Sequence, residues 1–194
     1  PERAVEALRK ALSMGADDAV ILSDDALAGS DAVQTAWALS TVIDAIGDVD
    51  VIITGNASTD GGTGTVPAVL GVYRGLPVLT HMRSVAIDGS TVTGERETED
   101  GVHQLKANLP AIVSVTEKAN EPRFASFKGI MAAKKKEVAV LTLAEIGVDA
   151  DTVGLANAGS TVTAVTPKAE KTAGERVTDE GDGGTKVAEY LVAS

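Results

Sequence analysis

The feature that most restricts the fold of this chain is an alternation, over its first seventy-odd residues, between helical and strand-like apolar spacing. "PERAVEALRKALSMGADDAVIL" has Pro1 at a first helical turn, Val5, Leu8, Ala11 and Leu12 at helical intervals, a Gly15 stop and a short buried strand at 19–22. Asp31 can then cap a second helix with the stripe Val33, Ala36, Trp37, Ser40 and Ile43, followed by Gly47 and the strand "VDVIITG" at 49–55. A third helix is expected from about residue 64 to 73. Helix, strand, helix, strand in that order implies parallel pairing through right-handed crossovers.

Composition agrees with that reading. Aromatic residues make up only 3% of the chain, so the core must be aliphatic, as expected where helices cover strands on both faces. After Pro77 the spacing becomes alternating: "SVAIDGSTVTGERE" sets a DG turn between two β-rich runs, and "VHQLKANLPAIVSVT" gives one alternating strand and one buried one. The expected class is therefore α/β, a mostly parallel sheet with antiparallel additions. Residues 149–186 are rich in Gly, Thr, Ala and Asp and cannot pack a core of their own; they lead to "TKVAEYLVAS", a short helix with Val187, Tyr190 and Leu191 on one face. Two parts are expected, an α/β domain at 1–148 and a C-terminal arm at 149–194.

The absence of cysteine excludes disulfides, thiolate metal sites and cysteine nucleophiles, and two histidines leave little for metal binding. No apolar run reaches the roughly 20 residues of a membrane span, so the chain reads as cytosolic. A net charge of −11 argues against nucleic acid as a partner, because phosphate backbones need a broad basic face.

Two stretches carry chemistry. "GNASTDGGTGT" (Gly55, Asn56, Ala57, Ser58, Thr59, Asp60, Gly61, Gly62, Thr63, Gly64, Thr65) joins a strand to a helix, at the edge where open α/β sheets bind ligands and where free N–H groups meet anions. Its glycines permit close backbone approach, its hydroxyls donate, and Asp60 can accept from a ribose hydroxyl or an adenine amine. It has no Gly-Lys-Ser/Thr, which excludes a Walker-type triphosphate loop. The plainer alternative is a glycine-rich turn that only caps a helix.

The second stretch, "NEPRFASFKGIMAAKKK", lies in a basic island: residues 118–137 hold six basic and two acidic side chains, +4 against −15 for the rest. Lysine runs are commonly solvated surface and paired phenylalanines commonly core. Phe127, however, stands among Ser126, Lys128 and Gly129, an aromatic ringed by polar residues, as protein-docking anchors are built. Trp37, His81 and His103 read as structural. Glu95 and Glu97 share one strand face with Arg96 opposite, and with no nucleophile or metal beside them they are not a catalytic dyad.

These residues resemble the electron transfer flavoprotein β subunit. "NEPRFASFKGIMAAKKK" is similar to that family's signature and recognition loop, and "ALSMGAD", "GNASTDGGTGT", "GERETEDG", "LPAIVSV" and "KTAGERV" fall in the family's order. The resemblance implies a Rossmann-like, adenine-nucleotide α-hydrolase-type fold, and an electron carrier rather than an enzyme. It implies a heterodimer whose α subunit holds most of the FAD, with AMP buried by the β subunit at residues 55–65. It also implies passage of electrons from acyl-CoA and other flavin dehydrogenases, as in fatty acid oxidation, to a membrane quinone reductase. On this resemblance Asn120, Glu121, Pro122, Arg123, Phe124, Phe127, Ile130, Met131, Lys134, Lys135 and Lys136 dock the dehydrogenase, with Phe127 as the anchor, and Glu97 faces the mobile flavin domain.

The sequence departs from the family's pattern in lacking its N-terminal strand, helix and strand, and in carrying Ala132 where some relatives have lysine. Electron-bifurcating relatives hold FAD where others hold AMP. Two rivals share a nucleotide-binding core, an adenylating enzyme and a stand-alone universal-stress-like sensor, and the latter has little use for the island around Phe127 or for a long arm.

Overall fold

The computed structural model describes residues 2–170 and 178–193. Pro1, the expected helix start, and the "KTAGERV" motif at 171–177 lie outside the described residues. The chain divides into two units, 1–161 and 162–194.

In the first unit, α1 (Glu2–Ser13) leads to β1 (Val20–Leu22), and α2 (Ala32–Ile46) leads to β2 (Val51–Gly55). Asp31 caps α2 as expected, and the cap is a full box: its carboxylate accepts from the Val33 and Gln34 N–H groups, while Gln34 Oε1 accepts from the Asp31 N–H. Gln34 is buried nonetheless, because its Nε2 donates to the Gly154 carbonyl and no polar atom is stranded. The α2 stripe is rotated from the expected one: Ala36 and Ser40 are buried with Ala38 and Val42, whereas Val33 and Trp37 stay half-exposed. Trp37 packs its ring edge on Tyr73 instead.

Next come α3 (Val66–Arg74), β3 (Val78–Asp88), β4 (Thr91–Thr98), β5 (Gly101–Asn108), β6 (Ala111–Val115), α4 (Phe127–Ala133) and β7 (Ala139–Leu141). The strands form two sheets. Five pair in the order β2-β6-β3-β4-β5, with β2, β6 and β3 parallel and β3-β4-β5 antiparallel, so the expected antiparallel additions are one flank of the sheet. The DG turn closes the β3–β4 hairpin, with Gly89 at φ 54°. β1 does not join β2 but pairs with β7, a partner more than a hundred residues away that local spacing could not indicate.

Helices α2 and α3 cover one face of the larger sheet through Ala36, Leu70 and Ile112. On the other face Leu79, Met82, Val92, Ala111 and Val113 cluster among strand residues. Helices on both faces, expected from composition, are thus found on one face of this sheet. A third cluster, Val42, Leu143, Ile146, Val148 and Val153, packs against β1 and β7. Val153 belongs to the stretch expected to pack no core of its own, and at 3% exposed it joins this one. Asp31 Oδ2 and Ser30 Oγ accept from the N–H groups of Gly159, Ser160 and Gly154, so residues 150–160 close over the start of α2.

In the second unit α5 (Gly183–Ala193) is the expected terminal helix, with Val187 and Tyr190 exposed. No described helix is long and apolar enough to cross a membrane, and no cluster of His, Asp or Glu among the described residues could hold a metal ion.

Candidate functional site

The parallel strands β2, β6 and β3 point their carboxyl ends the same way, and residues 55–65 begin at that edge. Gly62 and Gly64 have φ of 63° and 65°, conformations that disfavour a side chain. Asp60 Oδ1 accepts from the Gly61 N–H at 2.6 Å, and Ser58 Oγ lies 3.4 Å from the Gly62 nitrogen. The Asp60 carboxyl is held below its usual range, first by the Ser58 hydroxyl and then by backbone N–H groups. Thr65 precedes α3 without a side-chain cap, and as Pro67 has no N–H, the Val66 and Ala68 N–H groups are the first-turn donors open to an anion.

One atom in the loop asks for a ligand. Asn56 Oδ1 is buried and has no hydrogen-bond partner. An unmet acceptor beside positive-φ glycines and uncapped helix donors fits an adenine nucleotide, whose amine or ribose hydroxyls donate while its phosphate accepts.

Residues 120–136 are organised by α1. Arg9 Nη1 donates to the carbonyls of Ala133 and Lys136 at 2.8 and 3.0 Å, closing the end of α4. In return Arg123 donates to the Met14 carbonyl, and Lys136 Nζ donates to the Ala16 and Asp17 carbonyls at 2.7 Å each, tying the segment to the turn that follows α1. At Gly129 the two helices touch: a Cβ there would lie 2.4 Å from the Ser13 carbonyl oxygen. Ser126 caps α4 by accepting from the Gly129 N–H.

The same segment presents its apolar side chains outward. Phe124 is 98% exposed and Phe127 81%, with Ile130 and Met131 half-exposed beside them. Lys134 and Lys135 are exposed, as are Asn120, Glu121 and Pro122. The residues singled out by sequence therefore divide in two: Arg123 and Lys136 hold the segment to α1, and the aromatics face solvent. Arg9 is the partner that sequence reading missed, since an arginine on a short polar helix gives no sign of whose carbonyls it caps.

Glu97 stands in a charged row on β4. Arg83 Nη2 and Nη1 bridge Glu95 and Glu97 at 3.1 and 3.3 Å, and Lys118 Nζ reaches Glu97 at 3.1 Å. Its carboxyl is lowered, chiefly by Lys118 and then by Arg83. Arg96 lies on the opposite face, as alternation requires, and donates to Thr80 Oγ1. His103 is exposed, 3.1 Å from Thr98 Oγ1.

Comparison with known proteins gives the family. Residues 1–146 match the electron transfer flavoprotein domain. The electron transfer flavoprotein subunit beta of Mycobacterium bovis is 65% identical over 193 residues, covering all of this chain and 73% of its own length. The Mycobacterium leprae subunit is 64% identical over the same extent. A more distant relative, the caffeyl-CoA reductase-Etf complex subunit CarD of Acetobacterium woodii, is 32% identical over 155 residues, 80% of this chain and 59% of its own. The chain belongs to the electron transfer flavoprotein β-subunit family.

Proposed function

We propose that this β subunit pairs with an electron transfer flavoprotein α subunit, with which it shares the redox-active FAD. In this reading residues 55–65 hold an AMP, and residues 120–136 dock acyl-CoA and other flavin dehydrogenases, whose electrons pass on to a membrane quinone reductase. Bound FAD supplies the electron chemistry; the chain's own residues bind, orient and dock. Gly62 and Gly64 let the backbone close on the nucleotide, Asn56 Oδ1 and Asp60 accept from it, and the start of α3 meets its phosphate. A nucleotide held in this way stabilises the folded subunit by linkage, whether or not it reacts. Glu97, kept ionised by Lys118 and Arg83, presents negative charge toward the flavin-carrying domain, and the C-terminal arm with its terminal helix packs on the α subunit.

The observation that carries the reading is the division within residues 120–136, where bare aromatics sit on a backbone fixed by Arg9, Arg123 and Lys136. A fixed apolar anchor with nothing of its own to cover is what a docking partner uses. The test is co-expression with the α subunit. A yellow 1:1 heterodimer that releases AMP on denaturation is expected. A colourless homodimer would refute the assignment, and two FAD without AMP would place the protein among bifurcating forms.

A further inference from the structure

His81 stands in a conformation that its own packing does not explain. It is the one non-glycine residue with positive φ among the described residues, at 59°. Such a backbone persists in a side-chain-bearing residue only where the surroundings enforce it. Here they do so from two sides. β3 slips register against β6 between Leu79 and Met82, and against β4 between Met82 and Ser84, which throws Thr80 and His81 into a bulge. The His81 N–H then donates at 2.9 Å to Ser114 Oγ, a fully buried hydroxyl on β6 in register with Thr54 of β2.

The side chain gains no burial from this, since the residue remains exposed, and its ring nitrogens have no hydrogen-bond partner among the described residues. What the bulge achieves is placement. His81 Nε2 lies 3.8 Å from the point a Cβ on Gly64 would occupy, and the Asn56 carbonyl oxygen is 3.4 Å from that same point. The ring is thus delivered to the last glycine before the uncapped start of α3, in the loop that also contains the unpartnered Asn56 Oδ1. A donor at a helix start complements an anion rather than a base or a sugar.

We propose that His81 is a ligand-contacting residue of the nucleotide site, its Nε2–H donating to the phosphate of the nucleotide held by residues 55–65. The inference rests on the reading of that loop as a nucleotide site, and its test separates the two. AMP is titrated calorimetrically into the FAD-loaded, nucleotide-stripped heterodimer, wild type against His81→Gly and His81→Asn. Glycine adopts the positive φ freely and asparagine tolerates it, so neither change forces the bulge to move, and neither reaches the position of Nε2, the asparagine amide being too short. Both variants should form flavin-loaded heterodimers with thermal stability like that of nucleotide-free wild type. Both should bind AMP roughly ten- to a hundred-fold more weakly, the range for one hydrogen bond to a charged group. Wild-type affinity in both variants, with wild type binding AMP, would overturn the role of His81 and leave the loop reading standing. A wild-type heterodimer with no affinity for AMP would overturn both. Loss of stability in the nucleotide-free variants, with affinity unchanged, would make His81 purely structural.

Discussion

Replacing Phe127 by alanine gives the sharpest test of the docking surface. The ring is 81% exposed at the first position of α4, so its removal takes almost nothing from the core, and the melting temperature should hold. Docking should not. Fully burying a phenylalanine is worth about 1.5–3 kcal/mol, so the variant should bind its dehydrogenase about ten- to a hundred-fold more weakly. Stopped-flow reduction of the α/β heterodimer by an acyl-CoA dehydrogenase at increasing concentration reads both quantities needed. Half-saturation should move upward while the limiting rate and the FAD content stay put, because Phe127 lies on the recognition segment and not in the loop assigned to the nucleotide. An unchanged concentration dependence with FAD retained would refute the argument and return Phe127 to ordinary surface. A large fall in stability would refute it differently, by showing that the ring covers part of the heterodimer itself.

Gly129→Ala should act on the same assay through the scaffold: a Cβ 2.4 Å from the Ser13 carbonyl must push α4 off α1, lowering both melting temperature and dehydrogenase affinity. Lys134→Gln with Lys135→Gln should slow association and flatten its salt dependence, since exposed charges act through a field screened within about 8 Å at physiological ionic strength. Gly62→Val forces a β-branched residue into φ 63°, and should lower AMP content and thermal stability more than electron transfer. Lys118→Met removes the main cause of the lowered Glu97 pKa, so Glu97 should titrate higher by carbon-detected NMR. A depressed carboxyl stabilises the fold above its unfolded pKa and loses that contribution as pH falls through its folded pKa. The variant should therefore lose it at a higher pH than wild type.

Local order was legible wherever the signal is short-range. The Asp31 cap, the Gly47 stop, the DG hairpin and the strand–glycine loop–helix unit all depend on residues within a few positions of one another. Pairings that close long loops were not. Nothing in "AVIL" at 19–22 marks β7 as its partner, and nothing in the small residues around Val153 marks it as a member of the cluster of Val42, Leu143, Ile146 and Val148. At the site, the residue types were visible and their division of labour was not. Arg123, Lys134, Lys135 and Lys136 look alike in a basic island, and which of them bond to α1 depends on where the end of that helix falls. The strain at His81 was equally hidden, since a left-handed histidine arises from a register slip shared by three strands.

That division bears on how the handle works. Lys136 and Arg123 bond to neutral carbonyls, so they keep their full charge while losing their freedom, whereas Lys118 is paired with Glu97. The positive field felt by an approaching acidic partner is therefore partly fixed in position and partly carried on the mobile Lys134 and Lys135. Fixing the base of the segment also lowers the ordering cost of binding, because α4 and its aromatic are already placed before the partner arrives. Charge removed at Lys136 should then differ in kind from charge removed at Lys134 or Lys135. The latter changes the association rate alone, while Lys136→Gln also releases the turn that follows α1, so dissociation should speed up as well. Equal effects of all three on association, with dissociation untouched, would mean that the bonds to α1 do not set the geometry of the docking face.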